Sequence, residues 1–186
     1  MKLRAGLQVA AQVLVVIFQS QTVTKAGPPV GGVPQHFVCN IGYSLIKCQA
    51  DMAVLRKTLA KYPVAELGEW TWVLVRSADW KHIVMPRGID PDSPAFTYLP
   101  KRETFIEEAL VATVPQRMGE LIWRWGMSTD DLLDLAVAHE LGHALCKEGS
   151  EMKARRAAKA LQGGKHPSCE VSLTAITSKE EMWKRR

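Results

Sequence analysis

Ser128-Thr129-Asp130-Asp131-Leu132-Leu133-Asp134-Leu135-Ala136-Val137-Ala138-His139-Glu140-Leu141-Gly142-His143-Ala144-Leu145-Cys146-Lys147 decides how the rest of the chain is read. Ser128 as N-cap with Asp131 three places later resembles a capping box, and acidic side chains stand at the positive end of the helix dipole. The pattern predicts a strong helix from Thr129 to about Lys147. Gly149 is placed to let the chain leave it in a left-handed conformation. Ser150 can then cap a further helix from Glu151 to Leu161, which Gly163-Gly164 stops. Within the first helix His139 and His143 lie four residues apart on one face, and Leu132, Leu135 and Ala136 continue that face as an inward-directed one.

Upstream, Cys48, Met52, Leu55, Leu59 and Tyr62 recur at spacings of three and four, which marks a helix from about Ser44 to Tyr62 ended by Pro63. Glu69 to Arg76 alternates instead, with Trp70, Trp72 and Leu74 on one side and Thr71, Val73 and Val75 on the other. That is a strand with both faces at least partly covered. Further strands are expected at Trp80–Met85 and Phe96–Leu99, separated by the turn-rich segment 86–94. Residues 102–111 fit helix or strand equally, and Pro115 ends the segment. The tryptophans at 70, 72, 80, 123 and 125 read as core or sheet packing. The fold expected is α+β, a short antiparallel sheet packed beside the 129–147 helix.

The chain's 186 residues, 47% hydrophobic and 23% charged, exclude a disordered or collagen-like protein and suit one compact domain. At the amino end, Lys2 and Arg4 precede an apolar stretch from Ala5 to Phe18, followed by polar Gln19-Ser20-Gln21 and small Thr24 and Ala26. This is the layout of a secretory signal peptide over residues 1–26. The apolar stretch is short for a bilayer, which asks for about 20 apolar residues, so only retention of the signal would make it an anchor. A Pro/Gly-rich flexible leader over 27–36 and a domain over 37–186 follow. Removal of 1–26 takes away Lys2, Arg4 and Lys25 and no acidic residue, so the net charge falls from +5 to +2. The basic balance therefore belongs largely to the signal, and no nucleic-acid partner is expected. The clusters around Lys153–Lys159 and Lys184–Arg186 read as a solvated helix face and a tail.

Export makes Cys39, Cys48, Cys146 and Cys169 candidates for two disulfides with three possible connectivities, of which Cys39–Cys48 and Cys146–Cys169 are favoured. None of them has the C-x-x-C spacing usual in a four-cysteine zinc site.

Two imidazoles at i and i+4 can bind one metal ion, and neutral imidazole is a favoured zinc ligand. Glu140, rotated about 100° from His139, borders the pair and is placed to act as a base toward a metal-held water. Gly142, between the ligands, permits close approach of another element.

Ala138-His139-Glu140-Leu141-Gly142-His143-Ala144-Leu145 resembles the active-site helix of the zincin metallopeptidases. The resemblance implies His139 and His143 as Zn2+ ligands and Glu140 as general base and proton shuttle. It covers only about twenty residues and names no substrate. The metzincin extension is absent, since Cys146 and Gly149 stand where its Gly and third His would be. The chain is more similar to the gluzincins, in which a Glu on the following helix completes the site. Glu151, within Glu151-Met152-Lys153-Ala154-Arg155-Arg156-Ala157-Ala158, matches that Glu-x-x-Ala-x-x-x-Ala context, with Arg155 where an acidic or amide residue is frequent. His166 and Glu148 are the alternative third ligands, and His166 could instead serve a developing oxyanion. By the same resemblance, substrate lies along an edge strand, Phe96–Leu99 or Trp80–Met85. The expected activity is an exported, periplasmic or extracellular, zinc metallopeptidase acting on peptide or protein. The alternatives are a zinc-dependent amidohydrolase on a non-peptide amide and an inactive exported metal-binding domain.

Overall fold

A computed structural model describes residues 34–112 and 115–169. The expected signal peptide, most of the leader and the 184–186 tail lie outside them. Among the described residues, helices and a four-stranded mixed sheet form a small α+β domain. The strands are β1 (Gln35–Cys39), β2 (Trp70–Val75), β3 (Ala95–Tyr98) and β4 (Glu103–Glu107), and the helices α1 (Leu45–Leu59), α2 (Ser77–Val84), α3 (Pro115–Trp125), α4 (Thr129–Cys146) and α5 (Glu151–Gln162).

The sheet order is β1-β2-β4-β3, with β1, β2 and β4 parallel and only β3 antiparallel to its neighbour β4. The antiparallel expectation thus holds for one pair out of three. The alternation in β2 is realised as two packed faces. Trp70, Trp72 and Leu74 join the main core with Leu55 and Leu59 of α1 and Val137 and Leu141 of α4. Val75 on the opposite face joins Trp80 and Val84 of α2 and Phe96, with Val73 and Phe105 packed against them. A sheet covered on both sides explains why its parallel strands carry apolar residues at successive positions.

Three elements depart from the sequence reading. Trp80–Met85 is not a strand: Trp80 and Val84 are one helical turn apart on α2, and both are buried against the sheet. A run that short has no periodicity with which to tell strand from helix. The leader ends earlier than expected, because Gln35 and His36 already belong to β1, and the Gln35 side chain is built in. Its amide donates to Gly68 O at 2.6 Å, and its Oε1 accepts from Trp72 Nε1 at 3.0 Å. Pro115 opens α3 rather than only closing what precedes it, as suits a ring with a preset φ and no N–H to leave unpaired. On α3 Met118 and Leu121 are buried while Trp123 is 88% exposed, so Trp123 is not core. Residues 103–107 resolve as strand β4.

α4 begins at its expected cap, Ser128 accepting from Asp131 N, and α1 is capped by Ser44, which accepts from Lys47 N. Both favoured disulfides are present, Cys39–Cys48 and Cys146–Cys169. No helix among the described residues is long and apolar enough to cross a membrane.

Candidate metal centre

α4 is the pivot of the domain. It packs against β3, α1, α3 and α5, and residues on most of its circumference are buried: Leu132, Leu133, Val137, Ala138, Glu140, Leu141, His143 and Ala144. The histidine face is therefore not the uniquely inward one. Leu135 and Ala136, expected to lead it inward, are only half-buried.

α5 returns along α4 after a four-residue turn, presenting Ala154, Ala157 and Ala158 to it. The two helices pack tightly at Gly142. A β-carbon there would stand 2.7 Å from Ala154 O and 3.0 Å from both Ala154 Cα and Ala157 Cβ. The turn does not use Gly149 as expected. Lys147 takes the left-handed conformation, with φ 49° and ψ 44°. Ser150 has the extended backbone of an N-cap but makes no side-chain capping bond. The Glu148 carboxylate instead accepts from Ser150 N at 3.3 Å and from Lys153 Nζ at 2.5 Å.

This close hairpin sets the first residue of α5 over the two histidines. Glu151 Oε2 is 3.0 Å from His139 Nε2, and Glu151 Oε1 is 3.4 Å from His143 Nε2. One ligand atom from each of the three residues can be chosen with all separations within 4.8 Å. Three ligands each about 2.1 Å from one tetrahedral ion stand about 3.4 Å apart, so the group could hold a divalent cation once its ligand atoms, now within 4.8 Å of one another, draw together. Glu151 is largely exposed, whereas the two rings are mostly covered.

The backbone orients the second ring. His143 Nδ1 lies 2.7 Å from the Glu148 carbonyl oxygen. A carbonyl can only accept, so Nδ1 carries the proton and, in the neutral ring, the Nε2 lone pair faces Glu151 and any cation held there. For His139, burial lowers the proton affinity, with the neighbouring charges of His143 and Arg155 adding to the fall and Glu151 opposing it.

Glu140 follows His139 directly on α4. It is buried, and its Oε2 has no hydrogen-bond partner among the described residues. Burial pushes its pKa up to about 8, helped by the charge of Glu151, while hydrogen bonding by Thr97 works the other way. Thr97 is on β3, where its hydroxyl donates to the Glu140 carbonyl at 3.3 Å and lies 3.0 Å from the Thr104 hydroxyl, which accepts from Trp70 Nε1 at 3.0 Å. This buried chain ties the edge strand to the middle of α4.

The alternative third ligands are placed elsewhere. His166 Nε2 lies 2.6 Å from Glu66 Oε2, and the Cys146–Cys169 disulfide holds its loop at the domain surface. The Glu148 side chain is engaged by Lys153, while its backbone carbonyl, which the sequence reading did not single out, supports His143. Thr97 and Thr104 were also not singled out. Their only signal is a polar residue at an inward position of each short strand.

No family model, characterised protein or solved structure matches the chain.

Proposed function

We propose that the protein is an exported zinc-dependent hydrolase that cleaves peptide bonds, with His139, His143 and Glu151 holding the metal and Glu140 acting as general base. The observation that carries this reading is the clustering of two imidazoles and one carboxylate with ligand atoms within 4.8 Å of one another, next in sequence to a buried carboxyl with an unpartnered oxygen. The donor set suits zinc: two nitrogens and one carboxylate oxygen leave a fourth tetrahedral position for water or substrate. Bound there, zinc would bring the pKa of a coordinated water toward about 7 and polarise a substrate carbonyl.

The chain's own residues supply the rest. The Glu148 carbonyl keeps His143 in the ligating tautomer. Glu140 takes a proton from the attacking water at its carboxylate and returns it to the leaving amine. β3 supports a peptide substrate. It is an edge strand, and on the side away from β4 no strand pairs with it among the described residues, so an extended chain can add to it. Its Thr97 touches α4 at Glu140, which brings such a chain past the base. The two disulfides support export to an oxidising compartment.

The test is Glu140→Gln, assayed for zinc content and for cleavage of a mixed peptide set and of amidated small molecules. Zinc content should be unchanged while turnover falls about 10²- to 10⁴-fold, the usual contribution of a general base. Full activity in the variant would refute the base assignment, and cleavage of the small amides but of no peptide would refute the substrate class.

A further inference from the structure

Arg155 stands one helical turn beyond Glu151 on α5. Residues four apart on a helix share a face, with β-carbons about 6 Å apart, so Arg155 and the third ligand point to the same side of α5. Two neighbouring basic side chains on α5 are occupied: Lys153 is held by Glu148, and Arg156 lies against the sulfur of Met152. Arg155 is exposed, and it makes no hydrogen bond or ion pair among the described residues. Its i−4 neighbour Glu151, the obvious partner, turns both carboxylate oxygens to His139 and His143.

From this placement we infer that Arg155 is a specificity residue that receives a substrate carboxylate next to the bond being cleaved. The inference rests on the zinc-hydrolase reading and adds its substrate class. A guanidinium presents a planar fork of donors that matches a carboxylate at two points. Consecutive residues of a peptide are 3.8 Å apart, so a guanidinium one helical turn from the metal ligand faces a group one or two residues from the scissile carbonyl. Both a free terminal carboxylate and an Asp or Glu side chain carry that chemistry.

The experiment compares zinc-loaded wild type and Arg155→Gln, with zinc content measured on each sample. Calorimetry with succinate and its monoamide, succinamate, reads the carboxylate preference without turnover. Wild type should favour succinate by about tenfold, as expected for a charge-assisted hydrogen bond. The variant should hold the same zinc and bind the two compounds about equally. Peptide pairs then separate the sources: free acid against terminal amide, and Asp against Asn beside the cleaved bond, with the variant losing whichever preference wild type shows. Equal discrimination by wild type and variant, at equal zinc content, overturns the role of Arg155 and leaves the metal centre standing. Wild type that takes up no zinc overturns the metal reading itself, and this inference with it.

Discussion

Replacing Gly142 by Ala tests whether the metal centre depends on the closeness of α4 and α5. The new methyl would sit 2.7 Å from Ala154 O and 3.0 Å from Ala157 Cβ, neither of which is the end of a flexible side chain. Ordinary contacts begin near 3.5 Å, so the helices must part by on the order of half an ångström or more. His139 and His143 ride on one helix and Glu151 on the other. Zinc sites tolerate about 0.2 Å in ligand distance. Zinc affinity should therefore fall at least about tenfold. For stability two effects compete. Ala gains about 1 kcal/mol over Gly inside a helix, whereas overpacking costs about 1–3 kcal/mol, so the variant should lie between neutral and about 2 kcal/mol less stable. Gly119→Ala is the control, since Gly119 is inside α3 and a β-carbon there meets nothing within 4 Å. It should gain up to about 1 kcal/mol and bind zinc as wild type does. Competitive zinc titration and urea unfolding of the three proteins give the readouts. If Gly142→Ala gained stability like the control and kept wild-type zinc affinity, the close-packed hairpin would not be what positions Glu151.

Two further predictions concern how the domain is held around that centre. Asp134 on α4 accepts from Lys61 at 2.9 Å and from Gln162 at 3.2 Å, joining the ends of α1 and α5. Burial alone would raise its pKa, but hydrogen bonds from Lys61, Tyr62 and Gln162 together with the Lys61 charge outweigh it and leave the pKa lowered. A depressed folded-state pKa stabilises above the unfolded value, near 3.9 for Asp. Wild type should thus be more stable than Asp134→Asn at neutral pH, with the difference disappearing as pH falls through the lowered folded-state pKa. A pH-independent difference in unfolding midpoints would contradict this. The Cys146–Cys169 link spans 23 residues of sequence, and loop-closure entropy assigns such a link about 3.5 kcal/mol. The double Ser variant should lose a comparable amount in urea unfolding, and a loss below about 1 kcal/mol would show that the link adds little.

Legibility in the sequence followed the strength of local signals. α4 was readable because cap, acidic first turn and histidine spacing agreed within twenty residues, whereas Glu151 was reached only through the gluzincin-like context of the helix that follows. Gly142 was legible as a point of close approach, since the missing side chain is itself the signal. β1 and α2 were not, for opposite reasons. Gln35–Cys39 follows directly on a Pro/Gly-rich run and carries a polar residue whose fit, to Trp72 and Gly68, exists only in the tertiary structure. Trp80 to Met85 is apolar enough for either state, and only the sheet's second face selects helix. Parallel pairing was also hidden, because covered strands of either direction read as apolar runs. The supports of the site were the least legible. A backbone carbonyl, as at Glu148, has no sequence signature, and the Thr97–Thr104 pair depends on the register of β3 against β4.

Zinc content after exhaustive dialysis, measured on wild type and on the single Ala variants of His139, His143, Glu151, Glu148 and His166, is the most direct test of the centre. About one zinc per chain should remain in wild type and in the His166 variant, and most of it in the Glu148 variant, whose backbone carbonyl persists. Loss of either histidine or of Glu151 should empty the site. Metal-free wild type under zinc-replete conditions, or zinc that survives removal of Glu151 but not of His166, would contradict the account.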